Sequence, residues 1–216
     1  MGAKVSICIP CYNNADEVER LLKSIYSQDY TDFEVNISDD STDDATEKLV
    51  KTDYPAVKYQ HNKKPYGHIF NWNVAIRMAE GEYIKVMFSD DWFTDSTCLG
   101  HYAALLDENP DVLLAFAGSR QVMLDGQDIS AMHHLPKQHH TGYYDRCADQ
   151  DFIDRLKSDY RNLFLGNQIG APSAVIYRRG KSLTLFDEQS NWASDMFLYF
   201  ELLTKNPVFA CTTMPL

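Results

Sequence analysis

Apolar residues along the first ninety positions alternate between two periods. Val5-Ser6-Ile7-Cys8-Ile9-Pro10 is a short, nearly continuous apolar run, and Val18, Leu21, Leu22 and Ile25 then recur at helical spacing. The first pattern suits a buried strand and the second the inner face of a helix. Pro10 is expected to close the strand, because it cannot donate to a ladder. Asn14 followed by Glu17 supplies a capping-box signal for the helix. The alternation repeats. Phe33 to Ser38 reads as a strand followed by a helix through Leu49-Val50, and Val57 to Gln60 reads as a short third strand. A polar loop, Asn62 to Gly67, then leads into a helix from about His68 to Ala79, which Gly81 stops before a strand at Tyr83 to Met87. Strands alternating with helices predict an α/β fold whose mostly parallel sheet is flanked by helices.

Past Asp95 the pattern changes. A helix carrying Cys98, Leu99, Tyr102, Leu105 and Leu106 ends at Pro110, and two strands are expected at 112–117 and 121–124, before the turn Asp125-Gly126. Residues 130–144 have little periodicity and contain His133-His134 and His139-His140, which read as a loop or flap over a pocket rather than a metal site. Phe152 to Phe164 reads as a helix, Ser173 to Tyr177 as a strand, Ala193 to Thr204 as a helix and Val208 to Cys211 as a final strand. The organisation expected is a ligand-binding half over 1–95 and a second half of the same domain over 96–216.

Composition narrows the partners. A formal net charge of −11 over 216 residues argues against binding a nucleic-acid backbone, which requires clustered Lys and Arg. No run of 18 apolar residues and no export signal is present, so a cytoplasmic location is the default expectation. Five scattered cysteines suit reduced thiols. Cys8-Ile9-Pro10-Cys11 lies on a strand end without a second pair at zinc spacing, so it reads as structural.

The candidate chemistry is carried by acids at strand ends. Asp39-Asp40 follows the second strand and Asp90-Asp91 the fourth, and in an open α/β sheet such ends line one crevice. Two adjacent carboxylates there suit a hard divalent ion bridging to phosphate; the alternative is a solvated pair opening the next helix. Asp195, at the start of the C-terminal helix beside Ser194, reads either as a dipole partner with Ser194 as cap or as a general base.

The ordered set Val5-Ser6-Ile7-Cys8-Ile9-Pro10-Cys11-Tyr12-Asn13, Ser38-Asp39-Asp40-Ser41-Thr42-Asp43, Asn73, Gly81-Glu82-Tyr83-Ile84, Ser89-Asp90-Asp91, Gly170-Ala171-Pro172-Ser173 and Ser194-Asp195 resembles the family 2 glycosyltransferases of GT-A fold. The resemblance implies an inverting, metal-dependent transferase that moves a sugar from a nucleoside-diphosphate donor, UDP- or dTDP-linked, to a saccharide or glycolipid hydroxyl in bacterial surface polysaccharide or glycoconjugate synthesis. It implies that Asp39 reads the base; that Pro10, Tyr12 and Asn13 complete the nucleoside pocket, with Asn73 among the donor-binding positions; and that Asp91 holds Mn²⁺ or Mg²⁺, with Asp90 toward the ribose. Asp195 is then the base. The chain lacks the acid that the fuller metal motif places before Asp90, which leaves open which of the two aspartates meets the metal. It also has Ser194 where many members have Glu, so one base candidate remains. Relatives usually continue past the final strand, so the chain reads as a catalytic fragment whose peripheral membrane association, if any, would lie beyond residue 216. Two rival readings are weighed. A sugar nucleotidyltransferase would want a basic, Gly-rich loop where Pro10 to Asn14 stands, and a non-catalytic nucleotide-sugar binding module would be expected to have lost Asp91 or Asp195.

Overall fold

The computed structural model describes residues 2–122, 143–190 and 192–216. The expected βα alternation is present: β1 (Val5–Cys11), α1 (Ala15–Tyr26), β2 (Phe33–Asp39), α2 (Ala45–Asp53), β3 (Lys58–His61), α3 (His68–Arg77) and β4 (Tyr83–Val86). Then follow α4 (Cys98–Asp107), β5 (Leu114–Val122), β6 (Tyr143–Arg146), α5 (Gln150–Ser158), β7 (Val175–Arg178), α6 (Ser194–Lys205) and β8 (Phe209–Pro215). The strands form one sheet in the order β3-β2-β1-β4-β7-β5-β6, with β8 also on β5.

The sheet is mixed. β3, β2, β1 and β4 run parallel, whereas β7 pairs antiparallel with both β4 and β5. A C-terminal strand is therefore inserted beside β4, and residues of both halves meet at the end of that strand. β1 is central and buried on both faces, which is why it reads as a continuous apolar run. Val5, Ile7 and Ile9 pack toward α1 and α4, while Cys8 faces the layer holding α3, α5 and α6. Cys8 and Cys11 consequently point into opposite layers, each thiol pushed up in pKa by burial.

Several boundaries differ from the sequence expectation for local reasons. Pro10 does not end β1: the strand continues to Cys11, in register with Asp39 of β2. Asn14 is the N-cap of α1, but it makes no cap bond to the helix backbone; its Nδ2 donates to Glu17 Oε2 at 2.8 Å and to Ser89 Oγ at 2.5 Å. The two strands expected at 112–117 and 121–124 merge into β5, and Met123 to Gly126 lie outside the described residues, as do all four histidines of the expected flap. The helix expected over 152–164 breaks at Asp159, whose extended backbone and carboxylate start a separate 3₁₀ turn at Tyr160–Leu165. At α6 the cap is Ala193 in the left-handed region, not Ser194. Ser194 is buried instead, its Oγ accepting a hydrogen bond from Ser190 Oγ at 2.8 Å.

Candidate active site

Beyond the carboxyl ends of β1, β2 and β4 lies an open cavity of about 450 Å³, lined by Pro10, Tyr12, Asp40, Asn71, Ser89 and Asp90 among others. Its remaining wall is His68, Trp72 and Phe88, and the same three side chains wall an adjoining cavity of about 360 Å³. That second cavity is completed by Ala171, Pro172, Trp192, Ala193, Ser194 and Asp195. The two are parts of one groove. Trp72 is its divider, with ring centroids 4.7 Å from Phe88 and 5.4 Å from His68.

The floor of the first cavity is a buried polar network absent from the sequence reading. Asn71 Nδ2 donates to the Cys11 carbonyl at 3.0 Å, while its Oδ1 accepts from Ser38 Oγ at 2.5 Å and Asn62 Nδ2 at 3.1 Å. Asp40 completes it, accepting from Asn62 Nδ2 at 2.7 Å, Tyr66 N at 2.8 Å and Gly67 N at 3.0 Å. Those last two bonds hold the turn that leads into α3, where Gly67 adopts φ 93°. A network in which every member is paired rigidifies the site around it.

The two acids after β2 have separate positions. Asp40 lines the cavity, whereas Asp39 has no exposed surface and spends its carboxylate on Ser41 N at 2.7 Å and Tyr59 Oη at 2.7 Å. Asn13 is exposed and ties the β1 end to the next loop, its N donating to Ser41 Oγ at 2.8 Å and its Oδ1 accepting from Thr42 N at 2.9 Å. Asn73 is turned away altogether. It is fully buried, its Nδ2 donating to the Phe186 carbonyl at 2.9 Å and to Glu188 Oε1 at 3.1 Å, and its Oδ1 accepting from Phe186 N at 2.9 Å. Neither Asp39 nor Asn73 lines the groove, which departs from the positions expected of them; period-3.6 counting placed Asn73 on α3 but not the face it shows.

Asp90 and Asp91 occupy a turn closed by Asp91 N on the Phe88 carbonyl at 3.0 Å. Asp90 is exposed and lines both the first cavity and a polar cleft on its other side, which Asp91, Glu17, Arg20 and Arg120 also line. Burial raises the pKa of Asp91; the Ser173 hydroxyl opposes this, the like charge of Asp90 adds to it, and Lys85 and Arg20 oppose it. Below the turn, burial brings Lys85 on β4 down to about 7 against the opposing charge of Asp91. Among the described residues no three His, Cys, Asp or Glu side chains converge. Two adjacent carboxylates, one partly desolvated, fit a hard divalent cation whose other ligands are diphosphate oxygens and water.

Asp195 sits in the first turn of α6, its Oδ2 accepting from Asn167 Nδ2 at 3.1 Å. Ala193 before it has φ 53°, a conformation that costs a non-glycine residue roughly 1–2 kcal/mol. Trp192 stands 86% exposed at the same cavity.

The glycosyl transferase family 2 model matches residues 6–185, from the second residue of β1 through β7; Trp192 to Asp195 of the second cavity lie beyond the matched span. The chain belongs to that family. Its relatives include an uncharacterised protein, MT1568, of Mycobacterium tuberculosis, 29% identical over 83% of this chain and 54% of its own. Another is the poly(ribitol-phosphate) β-N-acetylglucosaminyltransferase TarS of Staphylococcus aureus, 35% identical over 51% of this chain and 20% of TarS. The crystal structure of TarS residues 1–349 with UDP superimposes with a TM-score of 0.68 at 22% identity, covering 96% of this chain and 57% of that one. The mannosyltransferase PcManGT of Pyrobaculum calidifontis, in complex with GDP-Man and Mn²⁺, superimposes at 0.64 with 19% identity, covering 100% of this chain and 55% of that one. At those identities the superpositions speak for a shared GT-A fold alone. The family 2 chain described here spans about half the length of MT1568 and less of TarS. Among its described residues no helix is long and apolar enough to cross a membrane.

Proposed function

We propose that this family 2 chain transfers a sugar from a nucleoside diphosphate to an acceptor hydroxyl, with inversion at the anomeric carbon. The observation that carries this is the groove itself: the cavity at the strand ends, with Asp40 and Asp90, adjoins the cavity that holds Asp195 across the shared wall of His68, Trp72 and Phe88. One extended molecule, a nucleoside diphosphate joined to a sugar, fits that arrangement.

The nucleoside occupies the first cavity against Pro10, Tyr12 and Asn71, with Asp40 rather than Asp39 at the edge of the base. Asp40 keeps acceptor capacity on the oxygen bonded only to Asn62, so an imide N–H donor, as in uracil or thymine, is favoured. Asp91, with Asp90 beside it, would hold Mn²⁺ or Mg²⁺, which when bound supplies Lewis-acid stabilisation of the departing diphosphate. Asp195 accepts the proton of the acceptor hydroxyl as its oxygen bonds to the anomeric carbon and the bond from that carbon to the diphosphate breaks. Attack from the face opposite the leaving group inverts the centre. Trp192 offers an exposed apolar ring face to a saccharide at the same cavity. A glycosylated surface polymer is the acceptor class this supports, in keeping with the poly(ribitol-phosphate) named for TarS.

A thermal-shift panel of uridine, thymidine, cytidine and guanosine diphosphates, with and without Mn²⁺, tests the donor site. A ligand that binds only the folded chain stabilises it by about 2.7 kcal/mol at a hundredfold excess over its Kd. Uridine or thymidine diphosphate with Mn²⁺ is expected to give the largest shift. No shift with any of the four, in either condition, refutes the proposal.

A further inference from the structure

Lys85 has no exposed surface, although it lies on β4 only a few residues from the Asp90-Asp91 turn. Its ammonium forms no ion pair within 4 Å among the described residues. It donates instead to the backbone carbonyl of Ser173, and it stands 3.9 Å from the centroid of the Tyr102 ring and 5.9 Å from that of Phe93. Tyr102 Oη donates to the same carbonyl at 3.4 Å. A buried ammonium without a carboxylate is an expensive thing to keep in a central strand, and an apolar side chain of similar length would usually serve the fold as well or better.

What the lysine grips is informative. The Ser173 hydroxyl accepts from Phe88 N at 3.0 Å, and the carbonyl of Phe88 in turn accepts from Asp91 N at 3.0 Å. One residue of the C-terminal half is thereby pinned by its carbonyl to β4 and α4, and by its hydroxyl to Phe88, the residue that opens the acidic turn. Ser173 also directly follows Ala171 and Pro172, which wall the Asp195 cavity. We propose that Lys85 is a positioning residue: it fixes Ser173, and Ser173 holds through Phe88 the turn that presents Asp91 to a divalent cation. This rests on the reading of Asp91 as a metal ligand.

The test is calorimetric titration of uridine diphosphate, with and without Mn²⁺, into the parent, Lys85→Met, Ser173→Ala, the double variant and Asp91→Asn, with thermal unfolding of each. Outer-shell partners of metal ligands are typically worth 10–100-fold in metal affinity, so Lys85→Met and Ser173→Ala should each lower the Mn²⁺ enhancement of binding by about tenfold or more. Metal-free affinity and folding should stay near the parent's. Because the two residues act in series, the double variant should lose little beyond the worse single one. A folded Lys85→Met with the parent's enhancement overturns the proposal, as does full additivity in the double variant. If Lys85→Met does not fold, Ser173→Ala decides, and an unchanged enhancement there overturns it equally. Asp91→Asn separates the two levels. Enhancement lost in Asp91→Asn but kept in Lys85→Met sinks only the role of Lys85, whereas enhancement kept in Asp91→Asn sinks the metal reading and the proposal with it.

Discussion

Replacing Asp195 by Asn separates a structural carboxylate from a chemical one, because the two accounts differ in size and in the assay that sees them. Structurally, Asp195 has two duties: it faces the N-terminal dipole of a 12-residue helix, and it accepts one hydrogen bond from Asn167 Nδ2 at 3.1 Å. The dipole is worth about 0.3–1 kcal/mol, and an Asn side-chain oxygen can still accept the bond from Asn167. The fold should therefore lose no more than about 1 kcal/mol, a shift of roughly 2–4 °C for a chain of this size. Catalytically, the loss is that of a general base, about 10²–10⁴-fold in turnover, or about 2.7–5.4 kcal/mol on the activation barrier. On this account the base acts on the acceptor in the transition state and the proposed nucleotide cavity lies across Trp72, so affinity for uridine diphosphate should not move. Measuring Tm, nucleotide affinity and sugar transfer on one Asp195→Asn preparation reads all three quantities. Transfer retained above about a tenth of the parent rate lies outside the range for a lost base and would refute the assignment.

Three further outcomes are expected. Asp40→Asn keeps an acceptor for either Asn62 Nδ2 or the Tyr66 and Gly67 N–H groups but not for both, so calorimetry should show at least a tenfold loss of uridine diphosphate affinity, about 1.4 kcal/mol, while Asp39→Asn should lower Tm with affinity within about threefold; the reverse pattern would return the base-reading role to Asp39. Gly81→Ala puts a Cβ 2.8 Å from Ser6 Oγ, 2.9 Å from Ser6 N and 3.0 Å from Lys4 O, two of them backbone atoms, so urea unfolding should show a loss of about 1–3 kcal/mol, and an unchanged midpoint would contradict this. Burial works against the charge of Glu34, but Lys58, the Ser6 hydroxyl, Glu80 N and Asn36 outweigh it and lower the pKa to about 2. A depressed carboxylate stabilises the fold above its ordinary pKa of 4.5, and that contribution is lost as pH falls toward 2, so the Tm gap between the parent and Glu34→Gln should narrow over that window; a gap that stays constant is the refuting result.

The alternation of periods determined the βα order through β4, because a central strand buried on both faces must be apolar throughout and a flanking helix must repeat every three to four residues. The same logic put acids at strand ends, and the groove does gather Asp90 and Asp195 around Trp72. Side-chain direction and partner choice were not legible in that way. Asp39 and Asp40 are one residue apart on a pleated chain and so face different surroundings, and which of them met the cavity depended on where β3, Tyr59 and the 66–67 turn came to rest. Asn71 and Asn73, two residues apart on α3, face different surroundings for the same reason, since a rotation of about 200° separates them, and Asn71, not the expected Asn73, lines the cavity. The burial of Lys85 depends on β7 and the 172–174 turn, which are distant in sequence and come to lie beside it only in the assembled sheet. Local patterns record what each segment buries; which chemical groups converge is decided by contacts between segments that lie a hundred residues apart, and those exist only once the sheet is assembled.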